Sequence, residues 1–98
     1  MYVIVWEFEL QAGKEREFEE AYAGNGQWAK LFARSSEYRG TDLLRPTDGG
    51  PYLTIDRWSS ADAFATFQRQ WRLEYEELDR RCEALTRRET LVGRFETT

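Results

Sequence analysis

Residues 52–85 restrict the fold more than any other stretch. The β-rich run Tyr52-Leu53-Thr54-Ile55-Asp56-Arg57-Trp58 follows the turn residues Asp48-Gly49-Gly50-Pro51 and reads as a strand. Ser59-Ser60 come next, with Asp62 three residues after Ser59, a helix-start pattern in which Asp replaces the usual Glu or Gln. Phe64, Phe67, Trp71, Tyr75, Leu78, Cys82 and Leu85 then recur at three- and four-residue steps, which lays one bulky apolar stripe along a single helix face. A strand feeding a helix through a two-serine joint is half of a split β-α-β unit. The rest of the chain must supply the half that covers the stripe.

The preceding residues do so. Tyr2 to Leu10 alternates, with Tyr2, Ile4, Trp6, Phe8 and Leu10 on one face of a strand and Val3, Val5, Glu7 and Glu9 on the other. After Ala12-Gly13, Lys14 to Tyr22 is a charged helix burying Phe18, Ala21 and Tyr22, broken by Gly24-Asn25-Gly26. Gln27 to Arg34 reads as a short helix with Trp28, Leu31 and Phe32 on one side, and Tyr38 to Arg45 as a second strand. Pro46 to Pro51 is turn chemistry and joins strands two and three as an antiparallel hairpin. Thr90 to Phe95 supplies a fourth strand, in which Gly93 marks a bulge or a close approach. The order β-α-β-β-α-β predicts an α+β, ferredoxin-like sandwich: a four-stranded antiparallel sheet with helices on one face, formed by residues 1–98 as a single domain.

Two mismatches sharpen this picture. A helix from Ser60 to about Arg87 would be about 42 Å long, while a strand of eight residues covers about 26 Å. The helix must therefore overhang or bend, and no Pro or Gly says where. The sheet face away from the helices also carries apolar residues: Val3, Val5, Leu53 and Ile55. That face requires cover, and packing the sheets of two subunits into a symmetric homodimer supplies it.

Composition removes several function classes. The chain has no histidine, which excludes His-based triads, the common zinc sites and a proximal-His haem ligand. A net charge of −4 argues against nucleic acid or an anionic membrane as partner. The single cysteine, Cys82, cannot form an internal disulfide and fits a reducing compartment; on the apolar stripe it reads as a small buried hydrophobe. No apolar run approaches a membrane span and the N-terminus lacks a signal-peptide pattern, so a cytoplasmic protein is expected.

Met1-Tyr2-Val3-Ile4-Val5-Trp6-Glu7-Phe8, Gly13-Lys14-Glu15 with Phe18, Gly40-Thr41-Asp42-Leu43-Leu44-Arg45, and Tyr52 to Trp58 leading to Phe64 together resemble the antibiotic biosynthesis monooxygenase superfamily. The resemblance runs in order along nearly the whole chain. It implies a dimeric α/β barrel, and it places the chain among small oxygenases that oxidise phenols without metal or flavin, quinol monooxygenases, haem degraders and members of no known activity. The haem-degrading branch relies on Asn, Trp and His in a cleft between sheet and helices. This chain has Trp6 where that Asn is expected, Phe67 near the position of that Trp, and no His, so haem degradation is not expected.

The expected pocket lies between sheet and helices, with Trp6, Tyr22, Trp28, Phe32 and Phe67 against the substrate and Asn25 as a candidate anion donor. The same rings could simply fill the core, and Asn25 between two glycines could be a left-handed turn residue. Trp71 and Tyr75, one helical turn apart, are the candidate catalytic pair, presenting an N–H and an O–H to one bound molecule. Cofactor-free oxygenation requires a site that ionises a phenol, holds the anion and excludes water. Without His the base must be a carboxylate raised by burial, a tyrosinate, or the substrate's own acidity. Asp56 and Arg57 point to opposite sheet faces, so only one enters the pocket, and a salt bridge or a polar pair at the dimer interface is their expected role. The leading function is cofactor-independent oxygenation of a small aromatic phenol or quinol, with no metal. The alternative is a non-catalytic dimer that binds an aromatic ligand or supports another protein. An open cleft with a polar group beside Trp71 and Tyr75 favours the first, and a cleft plugged by Trp6 and Phe67 the second.

Overall fold

The computed structural model describes residues 1–98. In chain order they form β1 (Tyr2–Leu10), α1 (Glu15–Tyr22), α2 (Gln27–Phe32), β2 (Tyr38–Leu44), β3 (Tyr52–Trp58), α3 (Ala61–Gln70), α4 (Arg72–Cys82), a 3₁₀ turn (Glu83–Leu85) and β4 (Thr86–Glu96). The sheet order is β2-β3-β1-β4 and all neighbours are antiparallel, the ferredoxin-like arrangement that the element order implies.

Strand parity decides which side chains meet the helices. Ile4, Trp6 and Phe8 of β1 pair with Asp56, Thr54 and Tyr52 of β3, and Thr41 of β2 pairs with Asp56 from the other side. This face carries the core. Trp58, Phe18 and Phe67 are its largest fully buried side chains. Trp58 packs edge-on against Phe32 and Phe64 at 5.4 and 5.2 Å between ring centroids, an arrangement that complements the ring quadrupoles. Cys82 is buried at 3% exposure, as a small hydrophobe would be.

The opposite face keeps its apolar character. Val3, Val5, Leu53 and Ile55 are only half-buried, and Leu44 and Phe95 are 45% and 50% exposed.

Four details depart from the sequence expectation or refine it. The long helix is not continuous. Trp71 (φ −112°, ψ 31°) interrupts it, although Trp71 N–H still donates to Phe67 O and Tyr75 N–H to Trp71 O, both at 2.9 Å. Two segments of about 15 Å each then lie on a sheet that one 42 Å rod would overhang. The helical run also stops at Leu85, so β4 begins at Thr86 rather than Thr90. The helix start falls one residue later than the Ser59–Asp62 pattern suggests: Ser60 is the N-cap, its hydroxyl accepting from Ala63 N–H at 3.1 Å. In β4 the bulge is present. Val5 pairs with Gly93 and Trp6 with Leu91, leaving Val92 as the extra residue. A Cβ on Gly93 would lie 2.8 Å from the Phe95 ring, so the close approach is present too.

The β2–β3 hairpin is tied to α1. Arg45 Nε donates to Glu19 Oε2 at 2.8 Å, its Nη2 bonds the other carboxylate oxygen, and the Tyr52 hydroxyl donates to Oε2 at 2.6 Å. These bonds, Arg45 first, hold the Glu19 carboxyl down at about 2.

Candidate active site

A cavity of about 180 Å³ opens between the sheet and the helices. Its walls are aromatic, each ring delivered by a different element. β1 sends in Trp6 and Phe8, α1 Tyr22, α2 Trp28 and Phe32, and α4 Tyr75. The rings brace one another: Trp28 meets Tyr75 edge-on at 5.0 Å, and Tyr22 lies 4.9 Å from Phe8. The floor is polar, with Thr54 and Asp56 from β3 and Thr41 from β2. Asp79 of α4 and Glu89 of β4 stand at the mouth, exposed to solvent. A wider depression of about 720 Å³ beside the β2–β3 hairpin has mostly charged, proline and glycine walls, including Glu7, Glu9, Arg45 and Arg88, and lacks the apolar lining of a ligand site.

Five of the rings expected in the pocket therefore line it: Trp6, Tyr22, Trp28, Phe32 and Tyr75. Three other candidates lie elsewhere. Trp71, at the helix break, turns its ring under the Arg34 guanidinium at 4.8 Å and does not line the cavity with Tyr75. Phe67 is 2% exposed and packs against Phe32 and Trp58, filling core and leaving the cleft open. Asn25 is exposed in the α1–α2 turn, and since no non-glycine residue has positive φ it is not a left-handed turn residue either. The flanking glycines serve close approach: a Cβ on Gly24 would sit 2.7 Å from Thr41 O, and one on Gly26 would sit 2.6 Å from Glu20 O.

A family model for antibiotic biosynthesis monooxygenases matches residues 1–70. The chain belongs to that family. Among solved structures, SnoaB from Streptomyces nogalater, a cofactor-independent oxygenase, is similar at 26% identity over 99% of this chain and 92% of its own, with a TM-score of 0.80. The haem degrader MhuD from Mycobacterium tuberculosis, solved with two haems in its active site, shares the fold at 23% identity over 99% of this chain and 95% of its own, with a TM-score of 0.67. No protein of curated function matches the sequence. Within this antibiotic biosynthesis monooxygenase domain the family match ends at Gln70, so Tyr75, Asp79 and Glu89 lie beyond the matched residues.

Asp56 lines the cavity, where the sequence reading favoured a salt bridge or an interface pair. It forms no salt bridge with Arg57, whose guanidinium bonds Asp42 at 2.9 Å on the other sheet face. Its partner is Thr41, whose hydroxyl donates to Asp56 Oδ1 at 2.6 Å. Because Thr41 has one hydroxyl proton, the Tyr38 O–H must donate to Thr41 in turn, giving a chain Tyr38 to Thr41 to Asp56. Desolvation raises the Asp56 carboxyl to about 6; the Thr41 bond and the field of Arg57 offset only part of that. The signal was available in the strand pattern. Asp56 shares parity with Tyr52 and Trp58, and rings of that size belong on the helix-facing side. Burial also raises the hydroxyls of Tyr22 and Tyr75, which rules out a tyrosinate as the resting base.

Proposed function

We propose that the protein is a cofactor-independent monooxygenase that oxidises a small electron-rich aromatic ring, of the phenol or quinol type, in the cleft between sheet and helices. The observation that carries this reading is Asp56: a desolvated carboxylate near neutrality, with Oδ1 taking the Thr41 bond, on the floor of an aromatic cavity. A base works best when its pKa lies close to the working pH. In this reading Asp56 takes the phenolic proton, and the resulting anion supplies the electrons that reduce O₂. A ring C–H carbon becomes C=O: the ring hydrogen and the phenolic hydrogen leave as water with one oxygen atom of O₂, the other oxygen atom is retained, and the phenol is oxidised to the quinone level. Tyr75 and Trp28 hold the ring between their side chains, with the Tyr75 hydroxyl as donor. Trp6, Tyr22 and Phe32 exclude water. SnoaB, which shares the fold and a quarter of the residues, supports the reaction class.

The same reading includes a homodimer. The half-covered outer face, with Val3, Val5, Leu53, Ile55 and the exposed Leu44 and Phe95, gains its cover from a second copy. Sedimentation at micromolar concentration checks this, and a compact monomer would remove it.

Oxygen uptake with a panel of anthrones, naphthols and quinols tests the chemistry. Turnover that disappears in Asp56→Asn supports the assignment. Saturable quenching of tryptophan fluorescence without oxygen uptake would instead establish a binding protein.

A further inference from the structure

We propose that Tyr38 is a positioning residue for Asp56: its hydroxyl turns the single Thr41 proton onto the carboxylate and thereby sets, from outside the cavity, how tightly Asp56 holds a proton. The inference rests on Asp56 being the base of the cleft. It goes further in naming the residue that tunes it.

The backbone of β2 is shaped to bring Tyr38 there. Side chains three apart on a regular strand point to opposite faces, yet Tyr38 and Thr41 both face the helices. Tyr38 pairs with Trp58 and Gly40 with Arg57, so Arg39 is an extra residue, a β-bulge that reverses parity between Tyr38 and Thr41. Gly40 carries the bend at φ +111°, a region that favours glycine, although a Cβ there would meet no atom within 4 Å. The glycine answers to the bulge and not to crowding. The Tyr38 ring is then held by Phe32 of α2 and Trp58 of β3, at 5.4 and 5.3 Å between centroids, with its hydroxyl on Thr41 Oγ1. Bulges recur beside active sites, where they re-aim a side chain.

Tyr38 does not line the cavity and reaches Asp56 through Thr41. Burial raises its hydroxyl, so the group stays protonated and remains a donor. Donation into Thr41 Oγ1 strengthens the Thr41 bond to Asp56 Oδ1, because consecutive hydrogen bonds polarise one another. The other titratable groups around Asp56 are Tyr22 of α1, Tyr75 and Asp79 of α4 and Glu89 of β4 in the cavity, with Arg57 and Asp42 across the sheet; β1 and α2 present only rings. The carboxylate takes its side-chain hydrogen bond from Thr41 and from none of these. Their fields act alike whether or not Tyr38 has its hydroxyl, so a variant that removes only that oxygen isolates the relay.

The test is the titration of Asp56 itself, followed by carboxyl-carbon NMR of aspartate-labelled, ligand-free protein in the unaltered chain, Tyr38→Phe, Thr41→Val and the double variant. Tyr38→Phe keeps the ring against Phe32 and Trp58. It is expected to raise the Asp56 midpoint by about 0.3 pH unit, the share of a charged hydrogen bond that a neighbouring bond contributes. Thr41→Val is expected to raise it by about one pH unit, and Tyr38→Phe to add nothing in that background. A midpoint that stays or falls in Tyr38→Phe would overturn the proposal. So would a rise that persists undiminished without the Thr41 hydroxyl, which would make Tyr38 a packing residue only. The readout involves no oxygen, so a chain without turnover still passes or fails it. Absence of oxygen uptake would sink the oxygenase reading and leave this comparison decisive; where oxygen is consumed, the rise of kcat/KM with pH moves by the same amount.

Discussion

Glu19 and Asp56 are two carboxylates of one small sheet-and-helix layer, and their surroundings push them in opposite directions. Glu19, where α1 meets the hairpin, accepts from Arg45 and Tyr52, and its carboxyl falls to about 2. Asp56, under the helices, accepts from Thr41 alone and rises to about 6. A carboxylate saturated with donors is locked in its charged form and acts as a fastener. One stripped of water and given a single donor is poised to exchange a proton near neutral pH.

The largest effect that would break this contrast is on turnover. Asp56→Asn is expected to lower the rate of oxygen uptake by about 10²–10⁴-fold, the usual range for a lost general base, while Glu19→Gln leaves it within a few fold. In the unaltered protein kcat/KM should climb with pH and level off above about 6, where Asp56 is ionised. A profile that is flat from pH 5 to 8 would remove Asp56 from the reaction.

Stability against pH comes next, with opposite signs at the two sites. The folded state holds the Asp56 proton more tightly than the unfolded chain, whose value is near 3.8, so this group's contribution falls as pH rises from 3.8 to about 6. Relative to the unaltered protein, Asp56→Asn should therefore gain up to about 3 kcal/mol across that window, read from urea midpoints. Glu19 behaves inversely. Its folded value lies below the ordinary 4.5, so its contribution is complete above 4.5 and is lost as pH falls through about 2. Glu19→Gln should cost about 1 kcal/mol at pH 7, discounted for an exposed Arg45, and nothing at pH 2.

The smallest effect concerns Trp71. Arg34→Gln removes the cation above that ring and should cost less than about 1 kcal/mol, with no change in ligand affinity. A clear loss of affinity would return Trp71 to the site.

The layer architecture was legible because it is periodic. Alternation from Tyr2 to Leu10 and the three- and four-residue steps from Phe64 to Leu85 each specify a face, and faces specify layers. The aromatic walls followed from the same periodicity. What escaped was aperiodic. The break at Trp71 has no proline or glycine to mark it and arises from fitting a long helix to a short sheet. The role of Asp56 depends on Thr41, 15 residues away and brought alongside only by the β2–β3 register. The acidic mouth joins Asp79 of α4 to Glu89 of β4, residues whose proximity no local pattern announces.

One clearance described above links a surface turn to a proton. Gly24 has no side chain because the Thr41 carbonyl occupies the place where a Cβ would be, and Thr41 is also the donor that keeps Asp56 from rising further. A single methyl group at Gly24 would have to displace Thr41, and the hydroxyl that steadies Asp56 would move with it. The acidity of Asp56 thus depends sterically on the gap between a turn and a strand. Under the proposed chemistry, a residue outside the cavity would thereby shift the pH at which turnover sets in.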